Sequence, residues 1–166
     1  MTIRNETPSD IDTITAVTRA AFENHPISQG TEQFIIAALR EAGALTLSLV
    51  AEIDGQVVGH VALSPVAISD GSPDWYGLGP ISVLPAHQRQ GVGKALMREA
   101  LSRLRSRGAA GCVLVGDPAY YEQFGFRSFS GLTHEGVPQQ FVLALPFGEH
   151  VPHGAVTFHK AFKATC

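Results

Sequence analysis

Val83–Leu96 reads VLPAHQRQGVGKAL: an apolar run closing at Pro85, a short polar loop, then two glycines, Gly91 and Gly93, opening a helix-like pattern. A strand, a glycine-bearing loop and a helix N-terminus in that order can form an anion cradle, because free backbone N–H groups and the positive end of the helix dipole meet there. Several nucleotide sites share this layout, so the spelling has to decide among them. A P-loop needs G-x-x-x-x-G-K-[ST]. Here Gln88 stands where the first glycine belongs, and Ala95 follows Gly93-Lys94, where a magnesium-binding hydroxyl is required. A dinucleotide fingerprint needs a third glycine where this chain has Leu96, and its strand should open a βαβ unit. Here the strand stands third in a run of strands. Both readings fail. What remains is either a pair of glycines at a helix start or the pattern Gln88-x-x-Gly91-x-Gly93.

Outward from the cradle, Val92, Leu96, Met97, Ala100, Leu101 and Leu104 recur at helical spacing, and Gly108 stops that helix. Upstream, LTLSLVAEI and QVVGHVALSPVAI are strands joined by Asp54-Gly55, a strong hairpin signal. WYGLGPISVL is a third strand, and Pro80 inside it marks a bulge or an edge because proline removes a ladder donor. At the N-terminus, TIRNE is a first strand, and Thr7-Pro8-Ser9-Asp10 reads as a capping box opening an amphipathic helix. ENHPISQG breaks that helix, and Thr31 caps a second one ending near Gly43. Downstream, GCVLVG is a short buried strand and PAYYEQF a short helix; FRSF, QQFVLAL and AVTFHKAF are strands separated by loops. The order β-α-α-β-β-β-α-β-α-β-β predicts one mixed α/β (α+β) domain over residues 1–166.

Bulk properties exclude other classes. The 166 residues carry a net charge of −3, with 16% charged residues, so nonspecific nucleic-acid binding is not expected. No apolar run reaches the ~18 residues of a membrane span, and MTIRNETPSD is too polar for a secretory signal. Cys112 and Cys166 match no metal spacing and no disulfide framework. The expectation is a cytoplasmic protein without a metal.

Gln88-x-x-Gly91-x-Gly93 after ISVLP, together with VAEIDGQVVGHVAL and YYEQFGF, resembles the GNAT family of acyl-CoA-dependent N-acetyltransferases along nearly the whole chain. The wording is closest to its bacterial YhbS-like branch. The resemblance implies acetyl-CoA as co-substrate. Its pyrophosphate would meet the backbone from Gln88 through Arg89, Gln90, Gly91, Val92 and Gly93 to Lys94, with Arg89 and Lys94 either adding charge or simply lying on the surface. It also implies that the Pro80 strand bulges and splays from CVLV, leaving Ile81, Ser82 and Val83 to pair with the pantetheine arm. Asp117 falls where the family often has an asparagine touching the cofactor, and its charge puts that contact in doubt.

Acetyl transfer by direct attack in a ternary complex sets three tasks: removing a proton from the amine, stabilising an oxyanion, and protonating the leaving thiolate. A main-chain N–H near Ile81 or Ser82 suits the oxyanion. Tyr121 occupies the family's tyrosine position before Gly125-Phe126 and is the candidate acid, against the alternative of an aromatic lid; Tyr120 is its packing neighbour. For the base, His60 has a suitable ordinary pKa, Asp74 sits in the turn before the strand, and a water relay serves equally. The acceptor would be a small-molecule or peptide amine, its pocket walled by FENHPISQG and the late loops; a homodimer stays open. Two other functions are weighed: a noncatalytic acyl-CoA-binding or sensing module, and an enzyme acetylating aminoacyl-tRNA, which the acidic pI of about 6.1 disfavours.

Overall fold

Asp54 and Gly55, at φ of 51° and 77°, turn β2 (Leu47–Ile53) directly into β3 (Gln56–Ile68). Both turn residues take the left-handed backbone that a two-residue hairpin requires. The computed structural model describes residues 1–166. The chain forms two compact units: Met1–Leu63 with Gly79–Ala100 and Lys160–Cys166, and Ser64–Leu78 with Leu101–His159. Strands β3 and β4 (Trp75–Val83) and helix α3 (Val92–Ser106) run through both.

In the first unit β1 (Thr2–Asn5) pairs antiparallel with β2, and β2 with β3, placing Val50 opposite His60. Helix α1 (Ile11–Phe22) follows a tight turn in which Asp10 accepts the Thr7 N–H at 2.7 Å. Helix α2 (Glu32–Glu41) follows a loop, as the break at ENHPISQG predicts. Ile14, Val17 and Ile36 pack on Val50, Val57 and Ala62, so the two helices cover one face of these strands. Leu96, Met97 and Ala100 of α3 are fully buried. Gly59 lets this helix lie close: a β carbon there would stand 3.1 Å from both Val92 Cγ1 and Leu96 Cδ1.

In the second unit β4 pairs parallel with β5 (Gly111–Val115), from Trp75 opposite Gly111 to Gly77 opposite Val113. The pairing ends there, as a splayed pair requires, and a cis peptide joins Gly79 to Pro80. After β5 comes the short helix α4 (Pro118–Tyr121). β8 (Val142–Pro146) lines β5 antiparallel and β6 (Arg127–Ser128) lines β8. The far half of β3 pairs with β9 (Gly154–Phe158), which carries β7 (Leu132–Thr133). Ile68, Trp75, Val113, Leu132, Val142, Ala144 and Val156 form its core.

The mixed α/β architecture is the one the sequence predicts; its late part differs in detail. Leu132–Thr133 is a strand where a loop was expected, because Leu132 is drawn into that core. AVTFHKAF is not one strand: β9 stops at Phe158 and Lys160–Lys163 coils into a turn. The cause is Ala161, which packs on Ile35 and Leu39 of α2.

Candidate active site

The cradle lies in the first unit. Past Leu84, a tight turn at Pro85–His87 leads to Gln88, whose own N–H reaches Pro85 O at 3.4 Å and whose side-chain amide donates to Val83 O at 3.0 Å. Gln88 therefore braces the loop. Arg89 takes φ of 63°, a left-handed backbone uncommon for a side chain of this size, and Gly91 follows at 86°. Nothing lies within 4 Å of where a Gly91 β carbon would stand, so the glycine serves conformation and leaves its approach open. The first bond entering α3 runs from Ala95 N–H to Gly91 O at 3.0 Å. The N–H groups of Val92, Gly93 and Lys94 precede it and remain free as donors at the positive end of a 15-residue helix. The Arg89 and Lys94 side chains are exposed beside them. These groups fit a pyrophosphate.

Ile81, Ser82 and Val83 lead into this loop along β4, which is the edge strand of the first unit once its pairing with β5 has ended. Ser82 is buried. Thr18 of α1 gives its hydroxyl proton to Ile14 O at 2.7 Å, so in its 3.4 Å contact with Ser82 Oγ it can only accept.

His60 is fully buried in the same unit. Arg40 grips the Glu6 carboxylate through two bonds of 3.1 and 2.8 Å, and Ser48 donates its hydroxyl proton to Glu6 as well. Ser48 Oγ must then accept from His60 Nε2–H, 2.7 Å away, which fixes the tautomer and leaves Nδ1 a buried acceptor without a partner. Burial pushes the imidazole down to about 4, with Arg40 pushing the same way and Glu6 opposing. For Glu6, burial alone would raise the carboxyl; the bonds from Arg40 and Ser48 and the neighbouring charges outweigh it and hold the group below its ordinary value.

The second unit holds Tyr121 and Asp117. The Asp117 carboxylate accepts the Ala119 N–H at 3.0 Å and caps α4, a task that commits one of its oxygens. Tyr121 is half-buried, set edge-on to Tyr120 with centroids 4.9 Å apart and to Phe126 at 6.1 Å. Its hydroxyl has no partner in the protein. Burial, then the neighbouring Tyr120 and Asp117, push the phenol up to about 12. Tyr120 is more exposed, and burial raises its phenol too. Asp74, at φ of 64°, stands exposed at the start of β4, the opposite end of that strand from the cradle. No group of three or more His, Cys, Asp or Glu residues is arranged to hold a metal ion.

Three positions escape sequence reasoning. Gly59 admits α3, Gly116 admits the Tyr121 ring, and Thr18 reaches Ser82. An isolated glycine within a strand pattern signals close approach, so Gly59 carried a legible hint; the other two carried none.

Comparison with known proteins identifies the family. Residues 12–126 match the model of the Acetyltransferase (GNAT) family. The uncharacterized N-acetyltransferase YhbS of Escherichia coli is 42% identical over 127 residues, 76% of this chain and 73% of that protein. A crystal structure of a GNAT family acetyltransferase from Brucella melitensis in complex with acetyl-CoA superposes with a TM-score of 0.87 at 50% identity, covering 97% of each chain. The structure of Escherichia coli YhbS in complex with CoA gives a TM-score of 0.89 at 34% identity, covering 98% of this chain and 91% of that one. No helix of the protein is long and apolar enough to cross a membrane.

Proposed function

The chain belongs to the GNAT family of acetyltransferases, and on that premise we propose that it moves an acetyl group from acetyl-CoA to a primary amine of a small molecule or peptide, by direct attack in a ternary complex. The observation that carries this reading is the set of free N–H groups on Val92, Gly93 and Lys94 behind the open backbone of Gly91, where the pyrophosphate would be held. Bound there, acetyl-CoA supplies an activated thioester. The nitrogen–carbon bond forms as the carbon–sulfur bond breaks; the nitrogen loses a proton and the sulfur gains one.

Each residue then has a task. Ile81, Ser82 and Val83 offer main-chain groups along an edge strand, with an N–H near Ile81 or Ser82 as the oxyanion donor. Tyr121 stays protonated across the neutral range, since its phenol is held near 12. A phenol that weak donates a hydrogen bond to the departing sulfur, whose ordinary pKa is ~8.5, and full proton delivery falls to solvent. His60 is sealed from solvent and committed to Ser48, which supports a structural part for it and leaves the amine proton to water. Asp117 shapes the α4 turn that presents Tyr121. The sharing of β3, β4 and α3 by both compact units supports reading residues 1–166 as one domain. Free Cys112 and Cys166 fit a cytoplasmic location.

Calorimetry in the presence of a chelator tests the reading. Acetyl-CoA should bind without added metal, and ATP and NAD far more weakly. Tight ATP binding, or none to CoA, would overturn it. An acceptor screen that detects released thiol separates the enzyme from a noncatalytic acyl-CoA-binding module.

A further inference from the structure

His60 and Ser82 stand beside one another in the first unit. Their strands, β3 and β4, are neighbours in the sheet. Leu84 N–H reaches Val58 O at 2.8 Å, and a β carbon at Gly59 would lie 3.2 Å from Ser82 O. The strands therefore run in opposite directions, and His60 comes level with Ile81 and Ser82. Both side chains face the helical layer. Val50, opposite His60, packs on Ile14 and Val17 of α1, and Ser82 Oγ touches Thr18 of that helix. Side chains so placed have β carbons ~5 Å apart, a gap that one water closes between two polar atoms.

Each side chain offers that water an acceptor. The Nε2–H of His60 is spent on Ser48, so Nδ1 carries a lone pair; the residue is fully buried, and no group of the protein reaches that nitrogen. Ser82 is buried too, and its hydroxyl proton is turned to Thr18, which leaves lone pairs on Oγ. Glu6 and Arg40 are the charged groups on the Ser48 side of the imidazole, and they pair with each other. A buried acceptor without a donor is rare in a folded chain, and water is its usual partner where the protein supplies none.

We propose that His60 Nδ1 and Ser82 Oγ hold one water, and that this water takes the proton from the acceptor's ammonium. Donating both hydrogens to these two atoms, the water turns its own lone pairs to the amine. The nitrogen gives up one proton and keeps the electron pair that attacks the thioester; the water passes a proton to bulk solvent and returns to its place. His60 is a positioning residue, held neutral and fixed by Ser48, and it acts through the water it orients. From Trp75 to Val83 β4 carries no carboxylate, so none on that strand competes for the proton. This inference rests on the acetyl-transfer reading and names the residues that hold its proton acceptor.

Diffraction from the full chain with bound CoA should place a water within hydrogen-bond distance of both Nδ1 and Ser82 Oγ. Two amide variants divide the imidazole. In His60→Gln the amide stands where Nε2 stood, so the bond to Ser48 is kept and the Nδ1 acceptor is lost. In His60→Asn the side-chain carbonyl replaces Nδ1 and the Ser48 bond is lost. Kinetics use two probe amines: ethylamine, an ammonium at neutral pH, and trifluoroethylamine, mostly uncharged there. His60→Gln and Ser82→Ala should slow ethylamine at least ~10-fold and trifluoroethylamine less than ~3-fold, because an uncharged amine needs no proton removed before attack. His60→Asn should keep more of the ethylamine rate than His60→Gln. A purely structural role predicts the reverse order, since His60→Gln keeps the Ser48 bond. No water at Nδ1 in the native chain, equal losses with both amines, or that reverse order would overturn the inference. Acetyl-CoA is titrated in parallel. Where it binds, these outcomes remove only the water and the residues that hold it; where it does not, the acetyl-transfer reading falls first.

Discussion

The ring of Tyr121 occupies the space where a side chain at Gly116 would begin: a β carbon there would overlap Cε2 and stand 2.9 Å from Cδ2. The glycine at the end of β5 and the tyrosine of α4 are thus one device, with the missing side chain of the first setting the position of the second. Gly116→Ala should push the ring away while leaving the hydroxyl chemically intact. The expected result is a kcat lowered by ~10-fold or more, since small misplacements of a positioned group are costly. Steady-state kinetics with a saturating acceptor would show it, and a rate equal to that of the native chain would mean that the ring position does not matter.

Tyr121→Phe keeps the ring and removes only the hydroxyl. An interaction used only in the transition state lowers kcat without weakening binding. The variant should lose ~100-fold in kcat, the scale for removing one hydrogen-bond donor from developing charge, with little change in CoA affinity. Tyr120→Phe, altering the more exposed ring, should be nearly silent. If Tyr121 is merely a lid, Tyr121→Phe will keep its rate and only Tyr121→Ala will bind CoA poorly. The assay needs an acceptor for which chemistry is slower than product release.

Gly91 and Gly59 support the cradle in different ways, and their variants should separate. Gly91→Glu adds bulk and negative charge to an open, exposed loop, so CoA affinity should fall at least ~10-fold, or about 1.4 kcal/mol. The forced φ of 86° adds strain, but the fold should survive. Gly59→Val instead drives side-chain atoms into Val92, Leu96 and the Ser82 carbonyl, 3.1 to 3.2 Å from the first added carbon. Overpacking of that kind costs ~1–3 kcal/mol. Thermal melts should therefore fall further for Gly59→Val than for Gly91→Glu, while calorimetry finds weaker CoA binding in both.

His60 makes stability depend on pH. The unfolded imidazole titrates near its ordinary ~6.5, the folded one near 4, so the folded form resists the proton that the unfolded form accepts. The stability it contributes is complete above pH 6.5 and is lost as pH falls from there toward 4. The full span of about 2.5 pH units corresponds to roughly 3 kcal/mol at most. Glu6 is also depressed, but its loss begins only below the ordinary carboxylate range, so the window between pH 6.5 and 4.5 reports on His60. Denaturant melts of the native chain should decline across that window, and those of His60→Gln should be flatter. Equal slopes would show that the imidazole is already charged in the folded chain.

How far the sequence reaches is clearest at the cradle. Gly91 and Gly93 after ISVLP, the apolar stripe from Val92 to Leu104 and the Asp54-Gly55 hairpin are local signals, because backbone freedom, helix period and turn type are set by neighbouring residues. They determined the α/β order and the family, and they marked the candidate anion site. Tyr121 became a candidate through its spacing from Gly125-Phe126. What tertiary structure alone decided lies in contacts between residues far apart in the chain. Sequence reasoning offered His60 as a base on its residue type; folding seals it against Ser48 and Glu6, 12 and 54 positions away, and turns a titratable side chain into a neutral one. The late strands were blurred for the same reason, since Leu132 and Ala161 take their conformation from the cores they enter. Burial depends on what the rest of the chain brings to a residue, and local pattern does not encode it.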